Sequence, residues 1–218
     1  MTTVMRTEGV AAAYDRWAPV YDLVFGNVFK SGRQQSIEAA EAAAGVLGGR
    51  ILEVGLGTGI SLPQYSRRNR LVGVDISDSM LDKARERVRT LGLDNVEAIE
   101  VMDAEALRFE DDSFDVIVAQ YVVTAVPNPE RALDEFVRVL KPGGEIVITT
   151  RIGADKGLRG GIEKFIMPVT SRLGWRTEFS WDRYEAWART NPRVRLVEHR
   201  PLPPLGHFSL IRYGKTAG

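Results

Sequence analysis

Five short runs rich in β-branched residues recur through the middle of the chain: "RILEVG" (50–55), "RLVGVD" (70–75), "VEAIEVM" (96–102), "FDVIVAQ" (114–120) and "GEIVITT" (144–150). Bounded by turn residues, such runs read as buried parallel strands. Helical patterns fill the gaps. "SDSMLDKARERVRTLG" opens with Ser/Asp capping chemistry and stops at Gly92, and "NPERALDEFVRVLKPGG" places Asn128 as a cap, Pro129 in the first turn, and Leu133, Phe136, Val137 and Leu140 on one face. The alternation predicts a doubly wound α/β sheet. The end of the chain breaks the pattern. "VRLVEHR" (194–200) and "HFSLIRY" (207–213) are joined by "PLPPLG", too short for a helical crossover, so the two are expected to pair antiparallel.

Composition removes several chemistries. The chain has 218 residues, no cysteine and two histidines, His199 and His207, which leaves no disulfide, no thiolate nucleophile and no expected metal site. No apolar run approaches a membrane span, and "MTTVMRTEG" lacks the apolar stretch of a secretory signal, so the expected location is cytoplasmic. Charge is balanced overall but unevenly placed. Residues 36–150 hold 12 Lys/Arg against 20 Asp/Glu, whereas residues 151–218 hold 13 against 6. A basic final third suits either a polyanionic partner, membrane phosphate or nucleic acid, or simply a solvated face.

"ILEVGLGTGISL" carries the chemistry. It follows a strand and is expected to open toward a helix, with Gly55, Gly57 and Gly59 allowing a sharp turn and close ligand approach at the carboxyl end of the sheet. A dinucleotide fingerprint would put its third small residue at Ile60, so this spacing disfavours NAD. Asp75, ending the second strand, is placed to accept hydrogen bonds from two ribose hydroxyls, and Asp103, after the third, to accept an adenine amino group with Ala104 beside the ring. The alternative for either acid alone is a turn former or helix cap.

"EVGLGTG", "GVDISDSMLDKAR", "MDAEALRFEDDSFDVIVA" and "RVLKPGGEIVI" resemble, in order and spacing, the class I S-adenosylmethionine-dependent methyltransferases over roughly residues 50–150. The resemblance implies a Rossmann-like α/β fold with a seven-stranded, mostly parallel sheet whose last strand is antiparallel, plus N-terminal helices and a lid segment. It implies S-adenosylmethionine as cofactor, leaving as S-adenosylhomocysteine, with cofactor contacts at Glu53, Gly55, Gly57, Gly59, Asp75, Ile76, Met80, Asp103, Ala104 and Gln120. Met102 departs from the pattern, in which many relatives have glycine before the acid.

"YDRWAPVYD" (14–22) is similar to an entrance motif of both quinone-biosynthesis C-methyltransferases and the short bacterial phosphatidylethanolamine N-methyltransferases, and "FGNVFKSGR" and "PLPPLGHFSLIRYGK" extend the similarity to the latter. Methylation of phosphatidylethanolamine toward phosphatidylcholine is therefore expected, with a small-molecule methyltransferase or a noncatalytic cofactor- or lipid-binding protein as alternatives. Tyr14, Trp17, Tyr21 and Phe25 recur at helical spacing as one aromatic stripe, bent near Pro19. Such a stripe is usually core. Here Tyr14 and Tyr21 are expected to cover the cofactor, with Trp17 and Phe25 lining the acceptor pocket, because aromatic faces attract sulfonium and ammonium groups. Tyr14, Tyr21, Tyr121 and His207 are candidates to orient the amine or take its proton, His207 being otherwise a surface residue; Tyr121, Arg151, Arg176 and Arg212 are candidates for binding the lipid head group.

"RGGIEKFIMPVTSRLGWR" (159–176) gathers Ile162, Phe165, Ile166, Val169 and Leu173 near one face with basic residues around it, which fits a helix at a lipid interface or a lid over the site. The expected organisation is one domain over 1–218: an entrance segment at 1–48, a cofactor core at 49–150, a basic amphipathic insertion at 151–180, and a last helix with hairpin at 181–218. The expected partner is phospholipid at an anionic membrane surface, met peripherally by a monomer, with no nucleic acid.

Overall fold

A computed structural model describes residues 29–152, 180–203 and 208–217. Seven strands form one sheet in the order β3-β2-β1-β4-β5-β7-β6, with β1 at Arg50–Val54, β2 at Arg70–Asp75, β3 at Val96–Val101, β4 at Phe114–Gln120, β5 at Leu140–Arg151, β6 at Val194–Leu202 and β7 at Phe208–Lys215. The first five run parallel, and β7 lies antiparallel to both β5 and β6. The fold expected from the strand and helix pattern, the terminal hairpin included, is the observed one.

The sheet has two covered faces. Helix α1 (Lys30–Ala44) and helix α2 (Asp78–Leu91) cover one, where Ile37 and Ala40 of α1 and Leu81 and Ala84 of α2 share a core with Ile51, Val116, Val118 and Val147. Helix α3 (Pro129–Val139) and helix α4 (Trp181–Thr190) cover the other, where Leu133, Phe136 and Tyr184 meet Leu52, Val74, Ile117 and Ile148. Each large side chain so buried contributes about 1.5–3 kcal/mol. The split follows the two-residue period of the strands: neighbours Ile51 and Leu52 enter opposite cores.

Local signals explain the helix ends, with one correction. Ser77 caps α2 by accepting from the Met80 amide, and Gly92 ends it in the left-handed conformation. Asn128 stands at the cap position of α3 without a capping bond. Its backbone N–H and side-chain amide are both drawn to the Glu105 carboxylate, at 2.6 and 2.8 Å. The strand at 96–101 also differs from expectation. It is the sheet edge, so its side chains are mostly half-buried or exposed.

Lys215, 6% exposed, ties the end of β7 to the core. Its ammonium donates to the carbonyls of Val137 and Leu140 at 2.8 and 2.6 Å and pairs with Asp112 at 2.5 Å, so a buried cation satisfies carbonyls at the α3 terminus.

Candidate active site

The carboxyl ends of β1, β2 and β4 converge where an open α/β sheet binds its ligand. After β1 the chain turns through Gly55, Gly57 and Gly59, all at positive φ. Gly55 and Leu56 both donate to the Val74 carbonyl, at 2.8 and 3.0 Å, pinning the loop onto β2. A Cβ at Gly55 would fall 1.8 Å from Val122, whereas one at Gly57 would meet nothing within 4 Å. Gly55 is needed for packing inside the protein; Gly57 faces open space. The loop does not run into an α-helix as expected. A 3-10 turn at Leu62–Gln64 follows instead.

Asp75 is fixed from both sides. Gly57 N–H donates to its Oδ2 at 2.8 Å and Ser77 N–H to its Oδ1 at 3.0 Å, so the carboxylate is oriented at the mouth of the glycine loop. Ile76 is half-buried beside it, and Met80 is fully buried in the first turn of α2. On the neighbouring strand end, the Met102 N–H donates to the Asp75 carbonyl at 3.0 Å, and Asp103 Oδ1 accepts from Glu105 N–H at 2.9 Å. Asp103 thus closes a turn, with Ala104 buried beside it. Glu105 in turn carries the loop before α3 through Asn128, so the two loops are joined.

Glu53 sits behind the glycine loop, 4% exposed, its two oxygens accepting from Ser61 Oγ at 2.7 Å and Tyr65 OH at 2.9 Å. Burial, outweighing these bonds and the nearby Arg33 charge, pushes its carboxyl up to about 7.

Toward β5 the surroundings change. Gln120 and Thr149 are register partners on β4 and β5, and Gln120 Nε2 and Thr149 Oγ1 are buried without a hydrogen bond. Tyr121 follows at φ 61, a conformation a bulky residue adopts only when its surroundings enforce it, and its N–H donates to the Thr149 carbonyl at 2.7 Å. Its ring packs on Phe29 with centroids 4.2 Å apart and meets Phe208 edge-on at 5.2 Å. Its hydroxyl is buried against α1, where a Cβ on Gly32 would come within 2.0 Å of it. Tyr121 therefore shapes this end through its ring.

Arg212 needs a second correction. Its guanidinium is held by Glu145 at 2.7 Å and Glu198 at 3.1 Å. It pairs with Val147, four residues and so about 13 Å below the β5 edge at Arg151, too low and too fully neutralised to grip a head-group phosphate. Arg151 itself ends β5 in register with Phe208, at the site edge. Tyr14, Trp17, Tyr21, Phe25, Arg176 and His207, with the amphipathic stretch at 159–176, lie outside the described residues.

The expectations missed Arg33, Ser61, Tyr65, Thr149, Gly32 and the pairing of Phe29 with Phe208. Ser61 and Tyr65 are only 8 and 12 residues beyond Glu53 and could have been sought there. The others meet through tertiary contacts that no local spacing announces.

These features fit an adenosyl ligand: an open glycine face, an oriented acid for ribose hydroxyls, and a buried, unpartnered amide nitrogen at Gln120. Residues 52–148 match the family described as a methyltransferase domain. The chain is 41% identical to a phosphatidylethanolamine N-methyltransferase of Cereibacter sphaeroides over 96% of this chain and 98% of that protein. It belongs to the S-adenosylmethionine-dependent methyltransferases. The methyltransferase is also 37% identical to a demethylmenaquinone methyltransferase of Clavibacter sepedonicus, over 96% of this chain and 91% of that one. Two solved structures share its fold at 18% identity. The [4+2]-cyclase SpnF has a TM-score of 0.80, covering 99% of this chain and 98% of that one. Phosphoethanolamine N-methyltransferase 2 of Haemonchus contortus, solved with phosphomonomethylethanolamine and S-adenosylhomocysteine, has a TM-score of 0.74 and covers 100% of this chain and 62% of that one. One is a cyclase and the other a methyltransferase, so the sheet alone does not decide the reaction.

Proposed function

We propose that this methyltransferase acts on the head-group amine of phosphatidylethanolamine and its mono- and dimethyl forms, toward phosphatidylcholine. The observation that carries the reading is the 41% identity to the Cereibacter enzyme over 96% of the chain, well beyond the cofactor core at 52–148. The quinone-biosynthesis relative, at 37% over the same share, makes a quinone-type acceptor the second reading.

The bound cofactor supplies a methyl group already activated on a sulfonium. What remains for the chain is to align the acceptor, exclude water and let the amine lose its proton. Asp75 would hold the ribose, the Gly57 face would admit the adenosyl group closely, and Asp103 and Ala104 would flank the adenine. Gln120 at the end of β4 would donate to the cofactor. Phe29, Tyr121 and Phe208 would form the dry, cation-attracting wall on the acceptor side, an exposed ammonium–ring contact being worth about 0.5–1 kcal/mol. Arg151 is the described arginine placed for a head-group phosphate, and the aromatic segment at 14–25, Arg176 and His207 would complete the acceptor side.

A bilayer substrate calls for peripheral contact with an anionic membrane surface, and no helix among the described residues is long and apolar enough to cross a membrane. Part of the basic charge after residue 150 is already met from within: Arg183 pairs with Glu130, Arg212 with Glu145 and Lys215 with Asp112. The membrane attraction is assigned to the basic residues at 159–176.

Incubation with methyl-labelled S-adenosylmethionine and separate vesicles of phosphatidylethanolamine, its mono- and dimethyl forms, and a demethylated quinone tests the reading. Label is expected in all three phospholipids. Label in the quinone and none in phospholipid would overturn it.

A further inference from the structure

Glu105, 7% exposed, lies two residues past Asp103, and its polar groups face two ways. Its N–H donates to Asp103 Oδ1 at 2.9 Å, on the side assigned to the adenine. Its carboxylate takes two donors from Asn128, the backbone N–H on Oε1 at 2.6 Å and Nδ2 on Oε2 at 2.8 Å. This grip is not what docks the segment after β3 onto α3. Arg131 holds the Glu105 carbonyl at 3.0 Å, Glu135 takes the Leu107 N–H at 2.8 Å, and Arg138 donates to the Leu107 and Phe109 carbonyls at 2.8 and 2.7 Å. All of these bonds remain without the Glu105 carboxylate. What the carboxylate adds is a hold on Asn128, which makes no side-chain capping bond of its own, and a negative charge at the amino end of α3.

Asn128 ends the loop of residues 121–128 that joins β4 to α3. That loop reaches both halves of the site. At its start the left-handed Tyr121 gives its N–H to the Thr149 carbonyl and its ring to the wall with Phe29 and Phe208. Val122 covers Gly55 so closely that a Cβ there would fall 1.8 Å from its Cγ2. Val123 is fully buried, and the Ala125 N–H closes a turn onto the Val122 carbonyl at 2.7 Å. The loop is thus clamped by β5 at one end and by Glu105 at the other. We propose that Glu105 is a positioning residue for methyl transfer: by fixing Asn128 it sets the loop 121–128, and with it the Tyr121 ring, at the distance from the cofactor that in-line transfer needs. The inference rests on the acceptor side assigned above, whichever acceptor occupies it. Small errors of placement count heavily, because a displacement of about 1 Å in the reacting geometry costs as much as about a hundredfold in rate. The bond from Glu105 N–H to Asp103 belongs to the backbone and survives replacement of the side chain, so cofactor binding and acceptor placement are separable at this residue.

Glu105→Met keeps the length of the side chain and removes both acceptors. Below its melting range the folded variant should turn over vesicle-borne phosphatidylethanolamine at least about tenfold more slowly, while its affinity for S-adenosylhomocysteine, read by calorimetry, stays within about twofold. Hydrogen exchange followed by mass spectrometry supplies a readout that needs no acceptor. Amides of residues 121–128 should exchange at least about tenfold faster than in the wild type, with residues 75–80 unchanged. Glu105→Gln is the conservative variant: its amide oxygen accepts from the Asn128 N–H, and the exposed Asn128 side chain can turn its own oxygen toward the new amide. Turnover and exchange should then return to within about threefold of the wild type. Asn128→Asp approaches the same contact from the other side, setting two carboxylates against each other, and should reproduce the Glu105→Met pattern. It decides the matter if Glu105→Met does not fold. A lowered melting temperature, with normal turnover and normal exchange below it, is what a purely structural role predicts, and would overturn the proposal. So would a loss of S-adenosylhomocysteine affinity as large as the loss of turnover. A wild type that labels no phospholipid would overturn the acceptor reading instead, and the exchange of residues 121–128 would still decide this one.

Discussion

The two ends of the active-site edge are built by different forces. Over β1 and β2, hydrogen bonds fix the surface: the Gly57 and Ser77 N–H groups on Asp75, the Ser61 and Tyr65 hydroxyls on Glu53, and the Gly55 and Leu56 N–H groups on the Val74 carbonyl. Over β4, β5 and β7, rings do the shaping, and polar atoms at Gln120 and Thr149 stay buried without hydrogen bonds. A ligand with fixed hydroxyl and amino positions suits the first kind of surface, since preset donors and acceptors cost little reorganisation at binding. A methylated ammonium offers few or no hydrogen bonds, and aromatic faces suit it better. Under the proposed function, the difference is that between recognising an invariant ligand and admitting an acceptor whose polarity changes with each methyl group.

The largest expected effect comes from damaging the hydrogen-bonded end. Gly57→Val places a β-branched side chain at φ 57, straining the backbone by about 1–2 kcal/mol, and points it into the open space on the ligand side. S-Adenosylhomocysteine affinity should fall by at least about a hundredfold, or ~2.7 kcal/mol. The circular dichroism spectrum should stay that of the wild type, because no atom of the described residues lies within 4 Å of the added Cβ. A folded variant with normal affinity would move the cofactor away from this loop.

The contrast also explains what could be read in the sequence. The strands, the α2 caps, the glycine loop and the acid at Asp75 lie within short windows, where period and spacing carry physical meaning. The Gly57–Asp75 pair was legible because its parts are close in the chain, Gly57 in the loop after β1 and Asp75 at the end of β2, 18 residues apart; Ser61 and Tyr65 on Glu53 lie as close and were not sought. The aromatic end was not legible. Phe29, Tyr121 and Phe208 come from three distant places, and the left-handed Tyr121 is held by the tertiary fold rather than by its own preference. Arg212 failed for a related reason. Its reading as a phosphate ligand rested on chemistry alone, and Glu145 and Glu198, brought near only by strand pairing, claim that chemistry.

A smaller and more selective effect should follow from crowding the aromatic end. Gly32→Ala sets a methyl group 2.0 Å from the Tyr121 hydroxyl and 2.9 Å from Thr149 Cγ2, so the ring must tilt. Overpacking of this kind costs about 1–3 kcal/mol. Turnover of the acceptor should drop about tenfold while S-adenosylhomocysteine affinity stays within about threefold, since 1.4 kcal/mol is a factor of ten and the strain falls on the acceptor side. Adding Tyr121→Phe removes the clashing oxygen and should restore most of the lost stability. If cofactor affinity collapses with turnover, the two ends are not separable.

The smallest effect should come from Arg212→Gln, which tests whether this arginine belongs to either end. Its removal leaves Glu145 without its closest cation, while Glu198 keeps Arg200 at 2.6 Å. The three side chains of the Arg212 cluster are 18–30% exposed, so the loss lies between that of a surface pair and a buried one, about 1–2 kcal/mol. For a chain of this size that lowers the thermal midpoint by a few degrees. The Michaelis constant for vesicle-borne phosphatidylethanolamine should change by less than about twofold, because a guanidinium already shared by two carboxylates has little charge left to lose toward a phosphate. A severalfold rise in that constant, with the midpoint unmoved, would return Arg212 to the head-group site and make Glu145 and Glu198 its placeholders in the ligand-free protein.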